Sequence, residues 1–207
     1  MFKTIESNVS AEIVEKKSKF IANIYYIESI EEAEKLIKDA NKKYFDARHN
    51  CYAFSVYTEN GIVNRFSDDG EPSGTAGAPM LNILTLQNLS NVLVIVTRYF
   101  GGILLGTGGL VKAYTQATIE ALNNANIVNN DLGKSVKFVI SYQDLEKLKY
   151  FMRQNSIKIT DIQYGENVEV FVDITDEKLQ KILERKNDLN FEIISYEVIM
   201  EKFIVVE

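Results

Sequence analysis

The sequence holds no tryptophan, two prolines, one cysteine and one histidine in 207 residues. Each scarcity excludes something. A lone cysteine, Cys51, cannot close an intrachain disulfide, so nothing demands an oxidising compartment. With His49 the sole histidine there is no His/Cys cluster, so a structural zinc site is unavailable, as is a triad needing a second histidine. No apolar run approaches the ~18–20 residues that cross a bilayer, and even Val92–Val96 is only strand-length. The opening MFKTIESNVSAEIVEKKSKF lacks the apolar stretch of a secretory signal. Positive charge is also in deficit. Lys and Arg number 23 against 29 Asp and Glu, a formal charge of −6, which weighs against a protein that coats nucleic acid by charge alone and leaves room only for a local basic patch. These absences predict a soluble cytoplasmic protein, with neither a membrane nor DNA as partner.

What is present is ordinary globular composition, 46% hydrophobic and 25% charged, in a chain long enough to bury a core. At roughly 150 residues per domain the length suits one domain or two small ones. Glycine distribution favours two, since nine of the eleven glycines fall between Gly61 and Gly109. The polar stretch from Asn123 to Gly133 reads as a helix end and linker, which sets the domains at residues 1–130 and 134–207.

The second part has a clear rhythm. Ser135–Tyr142 alternates like a strand, and 144–155 places Leu145, Leu148, Phe151 and Met152 at helical spacing. Two strand-like runs, Ile157–Tyr164 and Val168–Ile174, flank a hairpin connection at Gly165-Glu166-Asn167. Thr175 caps a helix from Asp176 to about Lys186, and a last strand covers Phe191–Val206. The order β-α-β-β-α-β is that of a ferredoxin-like sandwich.

The first part begins with strand-like residues 11–27. Ser29 then caps a helix with Glu31, Glu32 and Glu34 early and Lys35, Lys38, Lys42 and Lys43 late, a polarity that suits the helix dipole and marks either a solvated face or a docking patch. A strand 50–58, a turn at Asn60-Gly61 and a strand 62–67 follow, then helices at about 79–86 and 110–123 around the apolar strand 92–96. The class is α+β.

Two glycine-rich loops carry the candidate chemistry. In residues 68–77, Asp68-Asp69-Gly70-Glu71-Pro72-Ser73-Gly74-Thr75-Ala76-Gly77, three carboxylates and two hydroxyls share ten positions. Paired carboxylates can bind a hard cation or do acid–base work, although no calcium-loop spacing is present. An ordered turn with Ser73 or Thr75 capping the next helix is the other reading. In residues 97–112, backbone N–H groups around Gly101, Gly102, Gly106, Gly108 and Gly109 can hold an anion with Arg98 and Lys112 supplying charge, or simply make a tight turn. The match to phosphate-binding motifs is poor: Gly106-Thr107-Gly108-Gly109-Leu110-Val111 lacks the third glycine of a dinucleotide fingerprint. Arg98, Tyr99 and Phe100 set a cation beside two aromatics, a combination that stacks on bases or packs a protein partner, with Phe100 equally readable as core. His49 and Cys51, two apart on a strand, face one side, as a Cys–His dyad would; a small core cysteine is the plainer reading.

Residues 16–22 (KKSKFIA), 46–53 (DARHNCYA), 68–77 (DDGEPSGTAG) and 96–114 (from VTRYFGG to GTGGLVKAY), in that order, resemble the IMPACT family, most closely its bacterial two-domain, YigZ-type members. The resemblance implies a first domain like the second domain of a small-subunit ribosomal protein and domain IV of elongation factor G, with the second domain like domains III and V of that factor. It implies a link to translation. Eukaryotic relatives act through an additional RWD domain on the activator of a starvation kinase, and these 207 residues contain no such domain, so that partner is not carried over. Signature positions are Asp46, Arg48, His49, Asn50, Asp68, Asp69, Glu71, Ser73, Arg98, Tyr99, Gly101, Gly102, Gly108, Gly109 and Lys112. Their mixed charge suggests a specific concave site in which Arg48 or Arg98 pairs with one of the loop carboxylates.

The expected function is therefore a non-enzymatic regulator or binding module that contacts the ribosome, RNA or a translation-associated protein. Arg48, Arg98, Tyr99, Lys112 and glycines 101, 102, 106, 108 and 109 would meet nucleic acid or an anion, and no catalytic residue, metal or cofactor is expected. The alternatives are a metal-assisted enzyme on a small phosphorylated or peptide-like substrate, using Asp68, Asp69 and Glu71, and an adaptor built on the acidic second domain. From Asp131 on, 11 Lys and Arg face 15 Asp and Glu, so RNA contact is expected to map to the first domain.

Overall fold

The computed structural model describes residues 1–185 and 189–206. The chain divides into two compact units, Phe2–Val128 and Met1 with Asn129–Glu207. It is α+β throughout.

The first unit is built on an antiparallel sheet of β2 (Val9–Glu15), β3 (Ser18–Tyr26), β6 (Val92–Tyr99), β4 (His49–Thr58) and β5 (Gly61–Ser67), adjacent in that order. Strand β6 lies at its centre, paired with β3 and β4. Its unbroken apolar run follows from cover on both faces. Val92, Val94 and Val96 join the core under α2 (Gly77–Leu86) and α3 (Gly106–Asn123), while Leu93 and Ile95 join the core under α1 (Ile30–Lys43). Helix α1 starts where the sequence placed it: the Ser29 side chain accepts from the Glu32 N–H at 3.1 Å. A short strand β1 (Phe2–Ile5) precedes the sheet.

In the second unit, β7 (Ile127–Ile140), α4 (Leu145–Gln154), β8 (Lys158–Tyr164), β9 (Val168–Thr175), α5 (Asp176–Glu184) and β10 (Ile193–Val206) succeed one another. Four of the five strands of this sheet lie in the order β10-β7-β9-β8, antiparallel at every step, which is that of the ferredoxin-like sandwich. Thr175 caps α5 as expected, accepting from the Lys178 N–H, while the expected helix end at Lys186 lies outside the described residues.

Three expectations are corrected. Residues 11–27 are not one run but a hairpin, turned at Lys16 and Lys17, which take φ of 45° and 65° without glycine. The supposed linker enters β7 at Ile127, because Asn129 and Asn130 pair with Val206 and Val205 of β10. Gly133 belongs to that strand, where a Cβ would sit 2.8 Å from the Ile174 carbonyl oxygen. Helix α3 begins at Gly106, one turn before Leu110, and α2 at Gly77, just before Pro79.

Candidate functional site

Strand register brings the separate sequence blocks to one end of the first sheet. Strand β6 ends there at Tyr99, β3 starts there at Ser18, and β4 starts there at His49. Lys19 pairs with Tyr99, and His49 with Arg98. Strand β5 ends there as well, leading into the 68–77 loop, and the 100–105 loop leaves β6 for α3. The contacts between these loops are direct. Arg48 N–H donates to the Arg98 carbonyl at 3.1 Å, and the Tyr99 hydroxyl to Asp46 at 2.9 Å. Gly101 N–H donates to Ser18 Oγ at 3.1 Å, and its Cα lies so close to the Lys17 backbone that a Cβ would overlap it. Gly101 therefore serves close approach, whereas Gly102 (φ 85°) serves the turn itself.

Two of the loop carboxylates, Asp68 and Glu71, turn inward, while Asp69 stays exposed. Asp68 accepts from the N–H groups of Gly74, Ala76 and Gly77 at 2.8–2.9 Å, and so caps α2 from nine residues away. Burial alone would raise its carboxyl pKa, but the three backbone donors together outweigh burial and hold it below the usual carboxylate range. Asp69, at φ 44°, accepts from the Asn50 N–H at 2.6 Å, and its carbonyl lies 2.6 Å from His49 Nδ1. Glu71 is buried. Its Oε1 accepts from Arg98 Nη1 at 2.6 Å and from the Tyr114 hydroxyl at 2.9 Å, while Oε2 lies 3.9 Å from His49 Nε2.

These partners decide among the sequence readings. The expected arginine–carboxylate pair takes the form Arg98–Glu71, and Arg98, only 5% exposed, is a buried scaffold rather than a rim ligand. The metal-assisted reading loses its starting point, because all three loop carboxylates are engaged by the protein's own donors. Among the described residues no three His, Cys, Asp or Glu side chains gather as a metal site. His49 and Cys51 do face one side, yet both serve the loop backbone. The Cys51 thiol donates to the Asp68 carbonyl at 3.0 Å and lies 3.3 Å from the Tyr114 hydroxyl. Burial pushes the thiol pKa up to about 12, so it stays protonated and is no nucleophile near neutrality. Asn50 is likewise internal, its amide oxygen accepting from Thr97. Ser73 is exposed, and the cap expected of it or Thr75 comes instead from Asp68, with the Thr75 hydroxyl donating to the Pro72 carbonyl.

Glu15, Asp46 and Asp69 stay exposed at this end, and four exposed cations stand beside them. Lys16, Lys17, Arg48 and Lys112 are exposed, and the ion pairs described at this end, Lys19–Glu12, His49–Glu71 and Arg98–Glu71, include none of them. Gly106, Gly108 and Gly109 form the first turn of α3, which has no side-chain cap and no acidic residue, and a Cβ on Gly108 would meet open space. Phe100, Ile103 and Leu104 are exposed between them, as is Phe45 beyond α1. Sequence reasoning placed Lys16, Lys17 and Tyr114 in the motif blocks but not among the site residues. Two adjacent lysines interrupting an alternating run were the available signal for the turn, whereas Tyr114, amid helix alanines, looks like any core aromatic.

The chain matches the family model of the Impact N-terminal domain over residues 16–122 and a domain of unknown function, DUF1949, over residues 138–185. IMPACT family member YvyE of Bacillus subtilis is 39% identical over 166 residues, covering 80% of this chain and 76% of that protein. IMPACT family member YigZ of Escherichia coli is 35% identical over 150 residues, 72% of this chain and 74% of that protein. A solved structure described as that of a hypothetical protein superposes with a TM-score of 0.64 at 28% identity, over 100% of this chain and 97% of the other. On the model match and the bacterial relatives together, the chain belongs to the IMPACT family.

Proposed function

We propose that the protein is a non-enzymatic binding module of the translation apparatus and that its first domain, residues 1–130, contacts RNA through the loop end of its sheet. The observation that carries this reading is the segregation of charge at that end: Asp68 and Glu71 face inward, whereas Lys16, Lys17, Arg48 and Lys112 face solvent without ion-pair partners among the described residues. Beside the exposed Glu15, Asp46 and Asp69, these four cations are the groups that phosphate contact would use. The link to translation rests on the family resemblance, and cytoplasmic localisation follows from it. No helix among the described residues is long and apolar enough to cross a membrane.

Arg98, Tyr99 and glycines 101, 102, 106, 108 and 109 then act as the frame that sets loop positions, with Asp46, His49, Asn50, Asp68, Asp69, Glu71 and Ser73 as parts of that frame or its border. The second domain, residues 134–207, is a companion without phosphate contacts. The test is co-sedimentation of the full chain with ribosomes from a native lysate, paired with RNA binding across a salt series. Binding should weaken with salt, with a logarithmic slope approaching about −3 if all four cations touch phosphates of a single strand. Lys16→Glu with Lys17→Glu should abolish it. Binding that is indifferent both to salt and to that double substitution would refute the reading.

A further inference from the structure

Phe100 is the exposed end of a line of contacts that starts in the core. Tyr114, fully buried, donates to Glu71, and Glu71 holds the Arg98 guanidinium at 2.6 Å. Arg98 in turn lies over the Phe100 ring, its Cζ 5.7 Å from the ring centroid, and over the Phe20 ring at 5.5 Å. Its Nε is buried with no hydrogen-bond partner. A buried ion pair is weak evidence for stability, since well-packed apolar residues often serve as well, and an unbonded buried donor is a further cost. Orientation is what this arrangement supplies that apolar packing would not, because a planar guanidinium fixed at Nη1 supports an aromatic ring from beneath. The ring remains 44% exposed. The next residue, Gly101, is tied to Ser18 and lies against the backbone of Lys17, so the ring is held from both directions.

We propose that Phe100 is a preorganised platform on which one unpaired RNA base stacks, with Arg98 and Glu71 as positioning residues and Lys16, Lys17 and Arg48 taking the flanking phosphates. The inference rests on the RNA reading above and makes it narrower. Phosphate contacts alone serve a duplex equally well, whereas a lone aromatic platform beside cations selects bases that are free to stack. The charge argues for RNA over a protein partner: Asp68 and Glu71 are held by internal donors, and Lys16, Lys17, Arg48 and Lys112, exposed and without ion pairs among the described residues, outnumber the exposed Glu15, Asp46 and Asp69 beside them.

The test uses the full-length protein and a fluorescent oligouridylate of about a dozen nucleotides, with one 2-aminopurine, against a blunt duplex of similar length. The parent protein should prefer the single strand and quench the 2-aminopurine. Phe100→Ala should weaken single-strand binding about tenfold or more and lose the quench, while Phe100→Tyr keeps both. Arg98→Lys, which retains charge but not the plane, should reduce the quench more than it reduces the salt slope. Equal affinity for duplex and single strand, or a Phe100→Ala protein within about twofold of the parent, would overturn the platform and leave the RNA reading standing. No binding of the parent to either probe at low salt would overturn both. Oligonucleotide binding intact in Phe100→Ala with ribosome co-sedimentation lost would reassign the ring to a protein contact and overturn the proposal.

Discussion

Residues 1–130 hold 12 Lys and Arg against 14 Asp and Glu, and from Asp131 on the count is 11 against 15. By arithmetic the two domains are alike, yet they arrange charge in opposite ways. At the loop end of the first domain Asp68 and Glu71 are held by internal donors, while four exposed cations have no ion-pair partner among the described residues. On the second domain's sheet three lysines are matched with carboxylates: Lys137 with Glu169 and Glu197, Lys202 with Asp173, and Lys134 with Asp176 and Glu201, while Lys158 of β8 has no ion pair among the described residues. Lys137 and Lys202 stand opposite the strand positions that form the core, so on the sheet face away from the helices these two lysines are already neutralised. Net charge would rank both domains as poor RNA ligands; the partners of each charge separate them.

Breaking the buried pair gives the largest expected effect. Glu71→Ala leaves the Arg98 guanidinium in a 7% exposed site with its carboxylate gone, and the Tyr114 hydroxyl loses its acceptor. Loss of one partner of a buried pair costs about 3–5 kcal/mol. Amide hydrogen exchange in β4 and β6 should therefore quicken by roughly a hundredfold or more, while that in β7 and β9 is unchanged. Uniform acceleration through both domains would show that they do not unfold separately. Unchanged exchange in β4 and β6 would show that Glu71 does not anchor the site.

Asp68 gives the next effect, and it depends on pH. Its folded-state pKa lies below the unfolded value, so its stabilisation is fully present above the unfolded pKa, about 3.9, and fades as pH falls through the lower folded value. Asp68→Asn should cost about 1 kcal/mol at neutral pH, as loss of a helix cap does. It should also flatten the decline in first-domain stability below about pH 4, measured as unfolding midpoints in urea across pH. An unaltered acid profile would mean that the three N–H donors find water or another acceptor equally well.

How much of this was legible in the sequence varies with the physics. The order of elements in the second domain was readable because α4, α5 and β9 each bury one face, and Leu145, Leu148 and Met152 show it directly, although β10 is mostly exposed. The linker misreading came from Asn129 and Asn130, polar residues that β10 pairs across a strand the local composition argues against. The Lys16-Lys17 turn was hidden because neither residue favours positive φ; the hairpin is imposed by the pairing of β2 with β3. At the site, the motifs gave away which residues gather, but not the direction in which they face. Asp68 and Lys112 are equally polar on paper, and only the backbone N–H groups of the 74–77 segment decide that one turns in while the other stays out.

The smallest expected effect is none, and it sharpens the comparison from the other side. Lys137→Ala with Lys202→Ala removes two cations from the second domain, as many as the Lys16 and Lys17 substitutions remove from the first. Both lysines already face carboxylates of their own sheet, at 2.8 Å from Glu197 and Asp173, so a phosphate would have to displace those anions to gain contact. Glu197 is well exposed, but the Asp173 side chain is only 14% exposed, so loss of Lys202 leaves a largely buried carboxylate without its cation and the comparison is read in binding alone. Affinity for the single strand and its salt slope should not move. A drop in affinity like that of the Lys16 and Lys17 variant would mean that the surface pairs open on binding and that the second domain shares the RNA. With affinity unchanged, binding follows the cations that no carboxylate pairs, and the overall count of charges has no say in it.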